Sequence, residues 1–249
     1  MEFVTDSLTS QHGRQTNQDY AGYILLDRLG CWVVADGLGG HNGGETASRL
    51  AVEQVLAACE AQPGLSPEAL AGYLQRAQNA ILARQAAQPE LASMRTTVVL
   101  MVADQHTAMC THLGDSRCYH FRQGQIIFQS RDHSVSQSLV NSGELAPEAL
   151  RFHEDRNRLL KALGEDVELR PSISAPQEIQ PGDAFLLCTD GFWEYVLEEE
   201  MQASLAGAAT PRDWLRLMEE CLRQRARMRQ NNRPDNYTAI GILLKMGEK

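Results

Sequence analysis

Short apolar runs bounded by turn residues recur along the chain and predict β-strands. The run at 31–35 is continuously apolar, which is typical of a strand buried on both faces. The triplet Asp104-Gln105-His106 separates one pair of runs and Gln123-Gly124 separates another, and this spacing predicts two hairpins. The predicted strands are Cys31–Ala35, Thr96–Ala103, Thr107–Leu113, Arg117–Phe121, Gln125–Gln129, Ala184–Cys188 and Tyr237–Leu244.

Two stretches, at 45–60 and from 210 onwards, carry apolar residues at helical spacing and predict amphipathic helices, and a third helix is predicted from 66 to about 85. Ser66 followed by Pro67 is typical of a helix start, and Thr210 with Asp213 matches a capping box. Hairpin connections favour antiparallel sheets. Antiparallel sheets covered by separate groups of helices predict an α+β layered fold.

Composition fits one domain that spans residues 1–249, because no linker or repeat divides the chain and a chain of this size buries a sizeable core. The formal net charge of −9 argues against nucleic-acid or anionic-lipid partners. The arginines at 223, 225, 227, 229 and 233 are interpreted as a solvated helix face.

Neither a signal peptide nor a stretch approaching about 20 apolar residues is visible, so no membrane span is expected. The six cysteines are scattered and form no Cys-x-x-Cys pair. This usage is typical of reduced thiols in a cytoplasmic protein.

Aspartates stand at five predicted strand–loop junctions. Two apolar strands end in the same dipeptide, Asp36-Gly37 and Asp190-Gly191, and the glycine allows close backbone approach. An isolated Asp-Gly is otherwise an ordinary turn. The other three junctions hold Asp19, Asp115 and Asp235. An all-oxygen set of this kind favours Mg²⁺ or Mn²⁺ over zinc.

Five motifs occur in order: Arg-x-x-Asn-Gln-Asp at 14–19, Asp-Gly-Leu-Gly-Gly-His at 36–41, Gly-Asp-Ser-Arg at 114–117, Cys-Thr-Asp-Gly at 188–191 and Pro-Asp-Asn-Tyr-Thr at 234–238. Together they resemble the metal-dependent protein phosphatases of the 2C type, in their short bacterial form. The resemblance runs from about Thr5 to Leu244. It implies a four-layer αββα sandwich, with two antiparallel sheets packed face to face and helices outside.

The resemblance also implies the roles of individual residues. Asp36 would bridge two Mn²⁺ or Mg²⁺ ions and the Gly37 carbonyl would bind one of them. Asp190 and Asp235 would bind the other ion, Asp19 would be a ligand or act on bound water, and Asp115 would help to hold a third, weaker ion. Arg14 would grip the phosphoryl group, whose oxygens match a guanidinium fork. Read alone, Arg14 is a surface arginine.

Three positions depart from the family pattern: Gln18 replaces a common glutamate, Leu38 replaces a histidine proposed as general acid, and Arg95 replaces a glycine. His41 is the candidate general acid, with a helix-capping role as the alternative.

The implied function is hydrolysis of phosphoserine and phosphothreonine by metal-activated water, in a monomer acting on phosphoproteins made by Ser/Thr kinases. The alternative is a catalytically weak pseudophosphatase that binds phosphoproteins. A thiol mechanism is disfavoured, because the Cys221-x5-Arg227 segment lacks the glycines of a phosphate-binding loop. The polar segment at 134–157 is expected to be a mobile flap beside the metals, and a packed helical insertion is the alternative.

Overall fold

The computed structural model describes residues 1–39, 43–229 and 234–247. Strands fall into two antiparallel sheets. The strands are β1 (Glu2–Ser10), β2 (Asp19–Leu25), β3 (Gly30–Leu38), β4 (Arg95–Thr96), β5 (Val98–Ala103), β6 (Thr107–Leu113), β7 (Arg117–Arg122), β8 (Gln125–Gln129), β9 (Ser172–Ile173), β10 (Gln177–Glu178), β11 (Ala184–Cys188) and β12 (Tyr237–Lys245).

One sheet has five strands in the order β1-β12-β11-β7-β8, and the other has the order β10-β6-β5-β3-β2 with β4 beside β3 and β9 beside β6. Helices cover the outer faces. They are α1 (Gly43–Ala61), α2 (Pro67–Ala87), α3 (Val135–Ser142), α4 (Asp190–Trp193), α5 (Glu198–Ala206) and α6 (Pro211–Met228), with short 3-10 helices at Pro89–Leu91 and Pro147–Phe152.

Three apolar layers hold these elements together. Trp32 and Val34 of one sheet pack with Phe185 and Ile240 of the other, in the layer between the sheets. A second layer joins the seven-stranded sheet to α1 and α2, and a third joins the five-stranded sheet to α4, α5 and α6. The four-layer αββα sandwich is therefore confirmed.

Most predicted elements are present with shifted ends. The helix predicted at 45–60 spans Gly43–Ala61, and Ser66 caps the next helix through the backbone N–H of Ala69. Thr210 caps α6 by accepting from the Asp213 N–H, while its hydroxyl donates to the Asp213 carboxylate. The strand predicted at 96–103 is interrupted at Thr97, whose N–H donates to the Asp36 carbonyl.

The segment at 134–157 contains α3 and the second 3-10 helix. Ser134 caps α3, and Gly143 ends it with φ of +80°. Leu150 and Arg151 are buried, whereas residues 141–144 are exposed. The helical content agrees with the alternative of a packed insertion, and mobility stays a prediction.

Candidate metal centre

The five predicted aspartates lie at or next to the ends of strands from both sheets. Asp19 opens β2 and pairs in register with Asp36 near the end of β3. Thr189, which follows β11, donates its hydroxyl to Asp19 Oδ2 over 2.9 Å. This bond ties an acidic strand end of one sheet to the strand end of the other.

Each Asp-Gly glycine is required by a close approach between two stretches of backbone. A Cβ on Gly37 would lie 2.0 Å from the Gly44 carbonyl oxygen, and one on Gly191 would lie 1.9 Å from that of Asn236. Only glycine lets these chains pass so closely. The glycine of each dipeptide therefore allows two stretches of the protein's own backbone to pack closely together.

Asp115 follows Gly114, which has φ of +97°, in the turn between β6 and β7. Its side chain is buried, and its backbone carbonyl accepts a 2.9 Å hydrogen bond from the Trp193 indole. Trp193 ends the single-turn helix that begins at Asp190. Asp115 and Asp190 are thus held by the same short helix.

Burial and mutual repulsion raise the pKa values of these carboxyls. Desolvation raises the pKa of Asp19 to about 7 and that of Asp115 to about 8. Burial, followed by the charges of neighbouring aspartates, raises the pKa values of Asp36 and Asp190 well above their usual range. Such a cluster is unfavourable as carboxylates unless positive charge is supplied.

Three of the aspartates also have a buried oxygen without a hydrogen-bond partner among residues 1–39, 43–229 and 234–247. These atoms are Oδ1 of Asp19, Asp115 and Asp190. Buried polar atoms are nearly always paired, so unpaired carboxylate oxygens at one place point to a missing cationic partner. Hard oxygen donors of this kind fit Mg²⁺ or Mn²⁺.

Asp235 and Arg14 pair with each other in this structure. The Arg14 Nη2 donates to Asp235 Oδ2 over 2.7 Å, and Asp235 Oδ1 accepts from the Asn236 N–H. Both Asp235 oxygens therefore have protein partners. Within 1–39, 43–229 and 234–247, no three His, Cys, Asp or Glu side chains form a ready-made ligand group. Ion binding would therefore have to release Asp235 from Arg14, or rely on ligand water, which Mg²⁺ usually keeps.

Several residues that organise the centre escaped the sequence argument. Asn236 donates from Nδ2 to the carbonyls of Gln11 and Thr16 and accepts from the Gln18 N–H, all within 2.9–3.0 Å. It therefore holds both ends of the loop that carries Arg14. Its place beside Asp235 in the last motif was the available signal.

A buried ion pair joins Arg117 of the Gly-Asp-Ser-Arg motif to Asp132, which follows β8. Arg117 donates from Nε and Nη2 to the two oxygens of Asp132, each over 2.8 Å. The Arg117 guanidinium lies 3.4 Å from the centre of the Trp193 ring. Arg117 and Asp132 thus support the tryptophan that holds Asp115. Residues 117 and 132 are too far apart in sequence for a local pattern to reveal the pair.

The three residues that depart from the family pattern contact neighbouring elements of the fold. The Gln18 amide donates to the Gly39 carbonyl over 3.1 Å. Leu38 pairs with Arg95 across β3 and β4, and Arg95 forms an ion pair with Glu165 at 2.9 Å. His41, the candidate general acid, lies outside the described residues.

The structure does not support a thiol mechanism. Cys221 lies within α6 and is partly buried, and desolvation raises the pKa of its thiol. The other five cysteines are buried, and all six are free. In the neighbouring basic run, Arg223 pairs with Glu219 and Arg225 with Glu200. Arg233 lies outside the described residues.

Comparisons with known proteins agree with this geometry. The family model for protein phosphatase 2C matches residues 9–232. The chain is 32% identical over 231 residues to the Mycobacterium tuberculosis serine/threonine protein phosphatase PstP. This alignment covers 91% of this chain and 42% of that protein. It is 31% identical over 215 residues to the serine/threonine phosphatase stp of Listeria innocua, with 84% of each chain covered. The chain belongs to the protein phosphatase 2C family.

A solved structure extends the likeness to the whole fold. The crystal structure of the PstP catalytic domain in complex with two manganese ions superposes with a TM-score of 0.81 at 28% identity, over 98% of this chain and 99% of that one. The chain spans less than half the length of the Mycobacterium relatives it matches. Among the described residues, no helix is long and apolar enough to cross a membrane.

Proposed function

We propose that this chain is a single-domain phosphatase that hydrolyses phosphoserine and phosphothreonine in proteins with two bound Mn²⁺ or Mg²⁺ ions. The observation that carries the proposal is the set of buried aspartates at the joined ends of the two sheets, three of which have an oxygen without a hydrogen-bond partner in the described part of the chain. Family membership and the manganese-bound relative support it.

The residues that would hold the ions follow the family pattern. Asp36 would contact both ions, the Gly37 carbonyl one of them, and Asp190 with Asp235 the other. Asp19 would contact an ion or its water, and Asp115 would help to hold a third ion. When bound, the ions supply charge neutralisation and an activated water.

Arg14 has the chemistry to bind the phosphoryl group. Its side chain is about half exposed at the rim of the centre, and it is paired with the carboxylate of Asp235. A phosphoryl group presents the same fork of oxygens as a carboxylate. The phosphoryl group of the substrate would therefore bind Arg14 in place of Asp235 when Asp235 binds a metal ion. Phosphoproteins made by Ser/Thr kinases supply that group in the proposed reaction.

The test compares phosphate release from phosphothreonine and phosphotyrosine peptides, with Mn²⁺ or EDTA present. We expect release from the phosphothreonine peptide with Mn²⁺ and background rates with EDTA. Full turnover after exhaustive chelation would rule out the metal site. Peptide binding without turnover at saturating Mn²⁺ would instead indicate the pseudophosphatase alternative.

A further inference from the structure

A cavity of about 690 Å³ lies between the helical segment at 134–152 and the edge of the five-stranded sheet. Its volume is in the range of small-ligand sites, roughly 300–1,000 Å³. Charged and amide side chains dominate the lining, including Arg117, Arg131, Gln137, Asn141, Arg151 and Glu198. The cavity contains none of the proposed metal ligands.

Arg151, like Arg117, is a buried cation that lines this cavity. About nine-tenths of its side chain is buried, and its Nη2 donates to Glu198 Oε2 over 2.5 Å. Its Nη1 is buried without a hydrogen-bond partner among the described residues. A guanidinium offers five N–H donors, so a single carboxylate leaves Arg151 under-satisfied.

Glu198 is the counter-ion of two arginines at once. Its Oε1 lies 3.7 Å from Arg117 Nη1, while its other oxygen binds Arg151. Arg117 is already neutralised by Asp132. Glu198 is one-third exposed, so water and solutes reach the carboxylate that bridges the two guanidinium groups.

The remaining lining groups allow an anion to enter. Arg131 is exposed and has no ion-pair partner in the described part of the chain. Gln137 and Asn141 contribute side-chain amides to the lining. These two amides bind each other through one hydrogen bond, from Gln137 Nε2 to Asn141 Oδ1. The lining has two acidic residues, Glu198 and Glu148, and Glu148 is exposed.

We propose that this cavity is a second oxyanion site, in which a phosphate group binds Arg151 in exchange for Glu198. The bidentate geometry of guanidinium suits phosphate as it suits carboxylate. The source is either free inorganic phosphate or a phosphoryl group on a protein. This site is additional to the proposed catalytic centre, and phosphate binding there does not require that the chain be a phosphatase.

Trp193 connects the cavity to the metal centre. The guanidinium carbons of Arg117 and Arg151 lie 3.4 and 5.3 Å from the centre of its ring, and its indole N–H donates to the Asp115 carbonyl. Both arginines therefore contact the ring whose N–H binds the Asp115 carbonyl. The indole N–H is also a local reporter of cavity occupancy.

The experiment titrates inorganic phosphate into the metal-free Arg14→Ala protein and follows the Trp193 indole resonance by NMR, assigned with Trp193→Phe. Chelation and the Arg14 substitution remove phosphate binding at the catalytic centre from the signal. Arg151→Gln should weaken binding by about tenfold or more, because a charged hydrogen bond is lost. The phosphate affinity of Arg151→Lys should lie between those of the wild type and Arg151→Gln, since lysine keeps the charge but lacks the two parallel N–H donors of guanidinium.

Glu198→Gln should change phosphate affinity in the opposite direction, tightening it by about threefold or more, because the internal competitor loses its charge. Arg170→Gln, which removes an exposed ion pair with Glu168, is the matched control and should change nothing. Opposite shifts from two partners of one ion pair distinguish binding from a structural role. Equal affinities in the wild-type, Arg151→Gln and Glu198→Gln cavities would overturn the proposal.

Peptides identify the source of the anion. A phosphothreonine peptide with a second phosphoserine is compared with the same peptide carrying serine there. Tighter binding of the doubly phosphorylated peptide that depends on Arg151 indicates a protein-borne group. A response to inorganic phosphate alone indicates a free anion, and no Arg151-dependent response to either ligand contradicts the site.

Discussion

At the residue scale, the aspartates of the centre differ in what holds them. Asp19 has a hydroxyl donor from Thr189, and Asp115 is held through its backbone by Trp193. Asp235 is held by Arg14 at the rim. The buried aspartates therefore lack a positively charged partner among the described residues, whereas Asp235 at the rim is paired with Arg14.

Replacing Asp36 or Asp190 by asparagine should weaken Mn²⁺ binding and abolish turnover while the protein stays folded. Each change removes one anionic ligand, and loss of even an outer-shell partner costs metal affinity roughly 10–100-fold. Calorimetry of Mn²⁺ binding, alongside circular dichroism, measures both properties.

Asp183→Asn is the matched control for these variants. Asp183 is a buried aspartate bound to His120 and Arg122, away from the centre. The control should lower stability and leave Mn²⁺ affinity unchanged. Wild-type Mn²⁺ affinity in the Asp36 and Asp190 variants would contradict their assignment.

Asn236→Ala should raise KM for phosphopeptides by several-fold, because the loop that carries Arg14 loses its three anchoring hydrogen bonds. If Asn236 acts by positioning Arg14, its effect should nearly vanish in an Arg14→Ala background. A double-mutant cycle of kcat/KM measures this coupling. Additive effects would show that Asn236 acts independently of Arg14.

At the element scale, pairing between distant segments places the loops of the centre. Strand β1 pairs with β12 over nine residues, from Glu2 opposite Lys245 to Ser10 opposite Tyr237. This register brings the loop after Ser10 beside the segment before Tyr237, so that Arg14 meets Asp235. In contrast, the segment at 134–157 is anchored by Leu150 and Val140 and by ion pairs, including Arg156 with Glu194 at 2.8 Å.

Hydrogen exchange should label residues 141–149 well before β5. Residues 141–144 and 146–148 are exposed, whereas all six residues of β5 are buried. Regions with little buried apolar surface open with a lower free energy. Exchange as slow as in β5 would favour the packed-insertion alternative.

The same segment should matter more for protein substrates than for small ones. Replacing its exposed residues at 141–144 and 146–148 by glycine and serine, at unchanged length, spares Leu150 and Arg151. Rates on a phosphoprotein should fall severalfold more than rates on p-nitrophenyl phosphate, because only a folded partner reaches this surface. Equal losses on both substrates would contradict a role in recognition.

At the scale of the whole molecule, the acidic centre opposes folding in the absence of metal. The pKa values of Asp19 and Asp115 are raised to about 7 and 8 from an unfolded value near 3.8. Between the pKa of the unfolded state and these pKa values of the folded state, the folded state binds more protons than the unfolded state. Stability is therefore highest at low pH with respect to these groups and is lost as pH rises through their folded pKa values.

The metal-free protein should accordingly lose thermal stability from about pH 5 to pH 8, and Mn²⁺ should restore more stability as pH rises. A loss of about 1 kcal/mol lowers the melting temperature of a domain of this size by roughly 2–4 °C. Calorimetric melting with EDTA and with Mn²⁺ across this range provides the measurement. A metal-free protein that becomes more stable toward pH 8 would contradict the raised pKa values.

The sequence by itself determined the elements whose patterns are local. The hairpin strands at 107–113 and 125–129 match β6 and β8 in full, because turn residues and apolar runs mark both ends. The predicted helices were recovered within a few residues, since apolar spacing and caps such as Ser66 are local signals. The five aspartates could be named as candidate metal ligands because each follows or precedes a strand in a recognisable motif.

Only the tertiary structure decided what those residues touch. Strand β1 was not predicted, because its half-buried Ser/Thr-rich pattern is stabilised by pairing with a strand more than 200 residues away. The Arg117–Asp132 pair, the Thr189 bond to Asp19 and the three bonds of Asn236 likewise join positions distant in sequence. Patterns along the chain report burial and turns, whereas side-chain partners depend on which strands the fold places side by side.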